Sequence, residues 1–197
     1  MLIGIASGCP LVGKTTCSDY LVDKYDFISI EMSLPVMFLA NHLFGYDLVK
    51  KPKDSKNRKI LQTVGYLMKQ IEPTYWLYLA LNLVSRYRKR DYNYNINSLS
   101  HEAFTYSKTY FCSNFNNHFK ENNIVICGIR SKQEVEEIQK MNGKVFFIKR
   151  KTDEVNNHPV ETDLNDFNGF DEIIDNNSTI DDFYKKIDFI IKKDKNE

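Results

Sequence analysis

Residues 2–20 read LIGIASGCPLVGKTTCSDY, and their order decides the fold. Leu2–Ala6 is a short apolar run without alternation, the pattern of a strand buried on both faces of a parallel sheet. Ser7-Gly8 ends it, and from Gly13 the period changes: Cys17, Tyr20, Leu21 and Tyr25 recur three and four residues apart, as on one face of a helix. Between strand and helix, GCPLVGKT (8–15) satisfies G-x-x-x-x-G-K-[ST] in full. In such a loop, backbone amides converge on phosphate oxygens and side chains would stand in the way, which suits Gly8 and Gly13. The helix N-terminus adds the positive end of its dipole. Lys14 is placed to reach the β- and γ-phosphates of a nucleotide, and Thr15 to offer its hydroxyl to Mg2+. The competing reading is a glycine-rich turn with a solvated lysine, which requires neither the strand before nor the helix after.

The remaining chain is read outward from this corner. Its 197 residues are 42% hydrophobic and 27% charged, with a net charge of +1, a globular composition long enough for one large core. The charge argues against a long nucleic-acid track, and no apolar run is long enough to span a bilayer. No signal peptide is visible, and Cys9, Cys17, Cys112 and Cys127 fit no zinc spacing, so a reducing, intracellular setting is expected. Phe27–Ile30, Ile124–Cys127, Val145–Ile148 and Glu172–Ile174 are further strand candidates. Helices are expected over Pro35–Phe44, along the stripe Ile60, Leu61, Val64, Leu67, Met68 and Ile71, and after Pro73 with Trp76 on the apolar side. Two more follow Ser131, ended by Gly143, and Ser178. This alternation predicts a three-layer α/β P-loop NTPase fold: a mainly parallel five-stranded sheet with helices on both faces, in a single domain over 1–197. Residues 91–118 read as an irregular excursion, with one short helix near His101–Tyr110, and 151–170 as a lid-like loop. Val49–Lys59 is a basic loop.

A P-loop specifies a nucleotide, not a reaction. An acceptor phosphate would need positive charge opposite the loop, and Arg58, Lys69 and Arg130 can supply it. Arg130 is the most informative, because residues just past the carboxyl ends of parallel strands line the ligand crevice of open α/β sheets. Its alternative is a structural pairing with Glu134. For Arg58 and Lys69 taken singly, a solvated helix face is at least as good a reading.

The series GCPLVGKTTCSDYLVDKYDF, RKILQTVGYLMKQIEPTYW, IVICGIRSKQEVEEIQKMNGKVFFIKR and HPVETDLNDFNGFDEIIDNNSTIDDF resembles, in this order and over nearly the whole chain, the bacteriophage- and virus-type deoxynucleoside monophosphate kinases, within the adenylate-kinase-like P-loop kinases. The P-loop is shared by many families; the ordered set LQ-x-x-G, P-x-x-W, I-R-x-x-x-E and H-P-x-E is far more specific. The resemblance implies ATP and Mg2+ as cofactors and transfer of phosphate to a deoxynucleoside monophosphate. It implies Lys14, Arg58 and Arg130 as catalytic residues, and Gly8, Gly13, Lys14, Thr15, Thr16 and Arg150 around ATP. Arg58, Gln62, Lys69 and Arg130 would bind the acceptor, and Thr15 would meet the metal. His158, Pro159, Glu161, Asp171 and Asn176 also match the pattern of its lid and last βα unit. Trp76 is read as a core aromatic under the substrate helix. The implied partners are small nucleotides and, as a further candidate, a second copy in a homodimer; a membrane and nucleic acid are not expected, and the setting would suit a virus-encoded protein inside a host cell.

Two departures stand out. The family's aspartate after the third strand is replaced by Gly128, and the lysine of the second-strand segment by Met37. A magnesium helper is thereby missing, worth several kcal/mol of transition-state stabilisation on the order of magnitude of metal-ion catalysis. The competing function is therefore a nucleotide-binding relative with weakened catalysis that serves as a protein-interaction module; a kinase of another small phosphate acceptor is a third.

Overall fold

The computed structural model describes residues 1–44, 55–86, 122–151, 163–164 and 166–195. The excursion at 91–118, the expected helix near His101, most of the basic loop and the lid residues His158, Pro159 and Glu161 lie outside them. The chain divides into two compact units, Met1–Ser29 with Asn123–Glu197, and Ile30–Asn122.

The first unit carries the sheet, except for Ile30 and Glu31 at the end of its second strand. β1 (Leu2–Ala6), β2 (Phe27–Glu31), β3 (Asn123–Ile129), β4 (Lys144–Lys149) and β5 (Glu172–Asp175) run in the order β2-β3-β1-β4-β5, all parallel. The fold class expected from the sequence is borne out. Strand alternation splits the buried side chains between two faces. Ile3, Ile5, Val125, Cys127, Phe146, Ile148 and Ile174 meet Cys17 and Leu21 of α1 (Lys14–Tyr25) and Phe183, Ile187, Ile190 and Ile191 of the last helix, α6 (Ile180–Lys195). On the opposite face α5 (Lys132–Lys140) approaches so closely that a Cβ on Gly4 would stand 2.8 Å from Ile138 Cδ1. Asp188 of α6 ties that helix to α1: it accepts hydroxyl protons from Tyr20 and Tyr25, each at 2.8 Å, and a bond from Lys24 Nζ at 2.7 Å. Cys9, Cys17 and Cys127 form no disulfide, and burial pushes the Cys17 thiol up to about 12.

Two helix ends differ from expectation. After α5, Asn142 takes the left-handed conformation (φ 57°), not Gly143. Gly143 is required by closeness instead, since a Cβ there would meet Ile138 Cγ2 at 2.7 Å and its carbonyl oxygen at 2.9 Å. At α6 the hydroxyl that accepts a first-turn amide belongs to Thr179 (Asp182 N, 3.2 Å) rather than Ser178.

The second unit holds α2 (Ser33–Phe44), α3 (Ser55–Ile71) and α4 (Tyr75–Arg86), which pack on one another. Trp76–Asn82 are all buried, so α4 is enclosed on every side along this stretch. Trp76 is the core aromatic read from the sequence: it is 1% exposed, and its indole Nε1 donates to Gly65 O at 2.9 Å. The motif residues Gly65 and Trp76 are thus partners of each other.

Candidate functional site

β1 ends at Ala6, and the chain then folds over its own exit. Ser7, 7% exposed, donates its hydroxyl to Cys9 O at 2.8 Å. Lys14 Nζ reaches back to Ser7 Oγ (2.6 Å) and Cys9 O (3.3 Å), which lays the ammonium across the loop. The turn needs two left-handed residues, Leu11 (φ 58°) and Gly13 (φ 103°). Gly13 is the N-cap of α1: its carbonyl accepts from Cys17 N at 2.9 Å, no side chain caps the helix, and its first turn holds no acid. Such a terminus leaves several amides without an intrahelical acceptor and concentrates about half an elementary charge there. The loop is braced from behind by Asn176, whose Nδ2 donates to Val12 O at 2.8 Å.

β3 lies beside β1 in parallel, so Arg130, just past Ile129, is at the same carboxyl-terminal edge of the sheet as the loop. Arg150 follows β4 at that edge and is exposed; Asn176 follows β5. Arg130 is half-buried. Its own backbone amide and that of Ser131 donate to Glu134 Oε2 at 2.9 and 3.1 Å. Glu134 is fully buried and completes a capping box with Ser131, whose hydroxyl accepts from Glu134 N. The carboxylate that the sequence offered as a partner for the Arg130 side chain also serves the backbone.

Gly128 is more than a missing side chain. Ile5 pairs with Cys127 but Ala6 with Ile129, so Gly128 is the extra residue of a bulge, at φ 93°. Only glycine enters that conformation without strain. The sequence invites the picture of an acid simply deleted from a standing site; the backbone here has a shape of its own.

In the second unit, Arg58, Gln62 and Lys69 all lie on α3; Arg58 is exposed, the other two half-buried. At about 100° per residue they fall within roughly 40° of one another, on one stripe of the helix. Met37 lies on α2. Among the described residues no group of three His, Cys, Asp or Glu could hold a metal ion, and no helix is long and apolar enough to cross a membrane. Sequence reasoning passed over Ser7, whose hydroxyl carries no motif signal, and gave Asn176 no task beyond a match in pattern.

The arrangement can be set beside known proteins. The model of the deoxynucleotide monophosphate kinase family matches residues 102–187, a span that contains Arg130, Arg150 and Asn176. The chain is also 27% identical, over 95% of its length and 94% of the relative's, to an Acanthamoeba polyphaga mimivirus protein named "Putative deoxynucleotide monophosphate kinase". The resemblance read from the sequence is borne out by both, and the second covers nearly the whole chain.

Proposed function

We propose that this protein transfers the γ-phosphoryl group of ATP to a deoxynucleoside monophosphate, giving ADP and the diphosphate. The observation that carries the reading is the N-terminus of α1: glycine-capped, free of first-turn acids and overlaid by Lys14, it has the character of an anion site. The donor set fits a polyphosphate. Gly8 to Thr16 would hold ATP through backbone amides, Lys14 would neutralise the β- and γ-phosphates, and Arg150 would approach from the end of β4. Thr15, exposed at the first turn, would offer Mg2+ a hydroxyl beside the phosphate oxygens, and the ion would withdraw charge from the transferring group.

No general base is required, because the acceptor phosphate is already anionic. An acceptor oxygen forms the new P–O bond as the bond to the β-phosphate bridging oxygen breaks, and ADP leaves with that electron pair. Arg130 would grip the acceptor phosphate or the transferring group through its two-pronged guanidinium. Arg58 and Lys69 would add charge on the acceptor side, with Gln62 near the nucleoside, in keeping with their common stripe on α3. Catalysis is then positioning and charge neutralisation.

The test is an ADP-release assay on the purified chain against the four deoxynucleoside monophosphates, with and without Mg2+. Release that depends on one monophosphate and on the metal is expected. ATP binding without any acceptor-dependent release would remove the kinase reading and leave a nucleotide-binding protein; no ATP binding at all would remove the phosphate cradle too.

A further inference from the structure

We infer that Asn176 is a positioning residue for the phosphate loop, holding the Val12–Gly13 peptide in the orientation that binds phosphate. The inference rests on the loop's reading as a nucleotide cradle and assigns a task to a residue on a different element.

Three observations converge on it. First, Asn176 Nδ2 donates to Val12 O at 2.8 Å, a bond across 164 residues of sequence, from a side chain 7% exposed. A peptide unit is planar, and in the trans form its C=O and N–H point in opposite directions. Pinning the Val12 carbonyl toward Asn176 therefore turns the Gly13 N–H away from it, toward the side on which a bound anion would be met. Secondly, Asn176 is itself held: its amide donates to Lys149 O at 2.7 Å, which anchors it where β4 and β5 end. The brace thus transmits the rigidity of the sheet to a loop that needs two left-handed residues to keep its shape. Thirdly, the fit leaves no slack. A Cβ on Gly13 would stand 2.5 Å from Asn176 Nδ2, so the glycine is needed for this neighbour as well as for its φ of 103°. The Val12–Gly13 peptide of the motif is therefore held by a residue far along the chain, so that its amide is set in place before ligand arrives. Such preorganisation raises affinity by removing the cost of ordering the loop on binding.

The experiment uses the full chain with two substitutions, Asn176→Asp and Asn176→Ala. Asn176→Asp keeps the shape but sets a carboxylate against the Val12 carbonyl; Asn176→Ala removes the donor without adding charge. Calorimetric titration with ATP, the KM for the acceptor monophosphate and the melting temperature are measured on each. The expected result is a tenfold or greater rise in the ATP dissociation constant for Asn176→Asp and a threefold to tenfold rise for Asn176→Ala. Both are read well below the melting point, with the monophosphate KM changed less than twofold. A purely structural role predicts a lower melting temperature with ATP affinity intact, and that outcome in either folded variant overturns the inference. If Asn176→Asp does not fold, Asn176→Ala decides alone. If the parent chain itself does not bind ATP, the reading of the loop has failed, and the inference falls with it.

Discussion

Two helices of the first unit start at the same edge of the sheet, and they are finished in opposite ways. α5 closes its own N-terminus. The amides of Arg130 and Ser131 end on Glu134, that of Lys132 on Asp163 Oδ2 at 3.0 Å, and that of Glu134 on Ser131 Oγ. A carboxylate already sits where the dipole is most positive. α1 has glycine as its cap, no acid in its first turn and a lysine swung over the loop. One terminus is capped by its own side chains; the other carries no side-chain cap, and on the proposed function it would receive an anion. The difference separates two kinds of chemistry that sequence alone presents side by side, a helix cap and a proposed ligand cradle.

The sharpest way to break the contrast is Lys14→Ala. It should lower kcat/KM for ATP by a hundredfold or more, roughly 2.7 kcal/mol, while the melting temperature stays within about 2 °C, because the lost charge acts on phosphate. A variant that turns over at the parent's rate would end the cradle reading. Glu134→Ala should do the reverse. Removing a fully buried acceptor strands two backbone amides and costs about 2–3 kcal/mol of stability, several degrees of melting temperature, with ATP affinity unchanged. Loss of ATP affinity there would mean that the two helix ends are not separate in function.

Thr16→Glu converts α1 into a copy of α5. Thr16 is the third residue of the helix, the place Glu134 holds in α5, so a glutamate there should cap the helix itself. ATP should then bind at least tenfold more weakly, about 1.4 kcal/mol, with the apo protein no less stable. Equal binding by parent and variant in a titration would sink the idea of a reserved terminus. Arg130→Lys keeps the charge at the start of α5 but loses the two-pronged donor; kcat/KM for the monophosphate should fall about tenfold and ATP affinity should hold. A lower melting temperature with unaltered kinetics would move Arg130 to the structural side of the comparison. The smallest effect expected is from Gly128→Asp. At φ 93° an aspartate costs about 1 kcal/mol in strain, and no gain in rate should offset it. A faster, equally stable variant would show that the bulge relaxes and that the acid was simply missing.

Much of this was legible in the residues, for physical reasons. Buried parallel strands are short apolar runs, and β1 runs over Leu2–Ala6 as read. β3 extends two residues past the expected Cys127, because a glycine that looks like a strand end is here the bulge within it. The Ser131 cap was visible because a capping box is local. The Asn176 brace was not, since a bond between residues 12 and 176 leaves no periodicity to read. Gln62 and Lys69 fell on the expected helix, but Arg58, read as part of the basic loop Val49–Lys59, lies in α3, which begins at Ser55, and spacing along a helix says nothing of what the stripe faces. The expected roles of Arg58 and Lys69 accordingly remain chemical proposals.

The order β2-β3-β1-β4-β5 also sets the timing of assembly on the ribosome. β1 pairs with β3 and β4, and β2 has β3 as its neighbour, so the two strands made first have no pairing with each other. Both wait for Asn123–Ile129. At a synthesis rate of roughly 5–20 residues per second, that interval is on the order of 6 to 23 s for β1 and somewhat shorter for β2. Until then Ile3 and Ile5 belong to a strand with two open edges, the kind of surface that chaperones engage and that pairs wrongly when left alone. A nascent chain halted before residue 123 should therefore be aggregation-prone however well its helices form, because the strand that joins β1 to β2 has not yet been made.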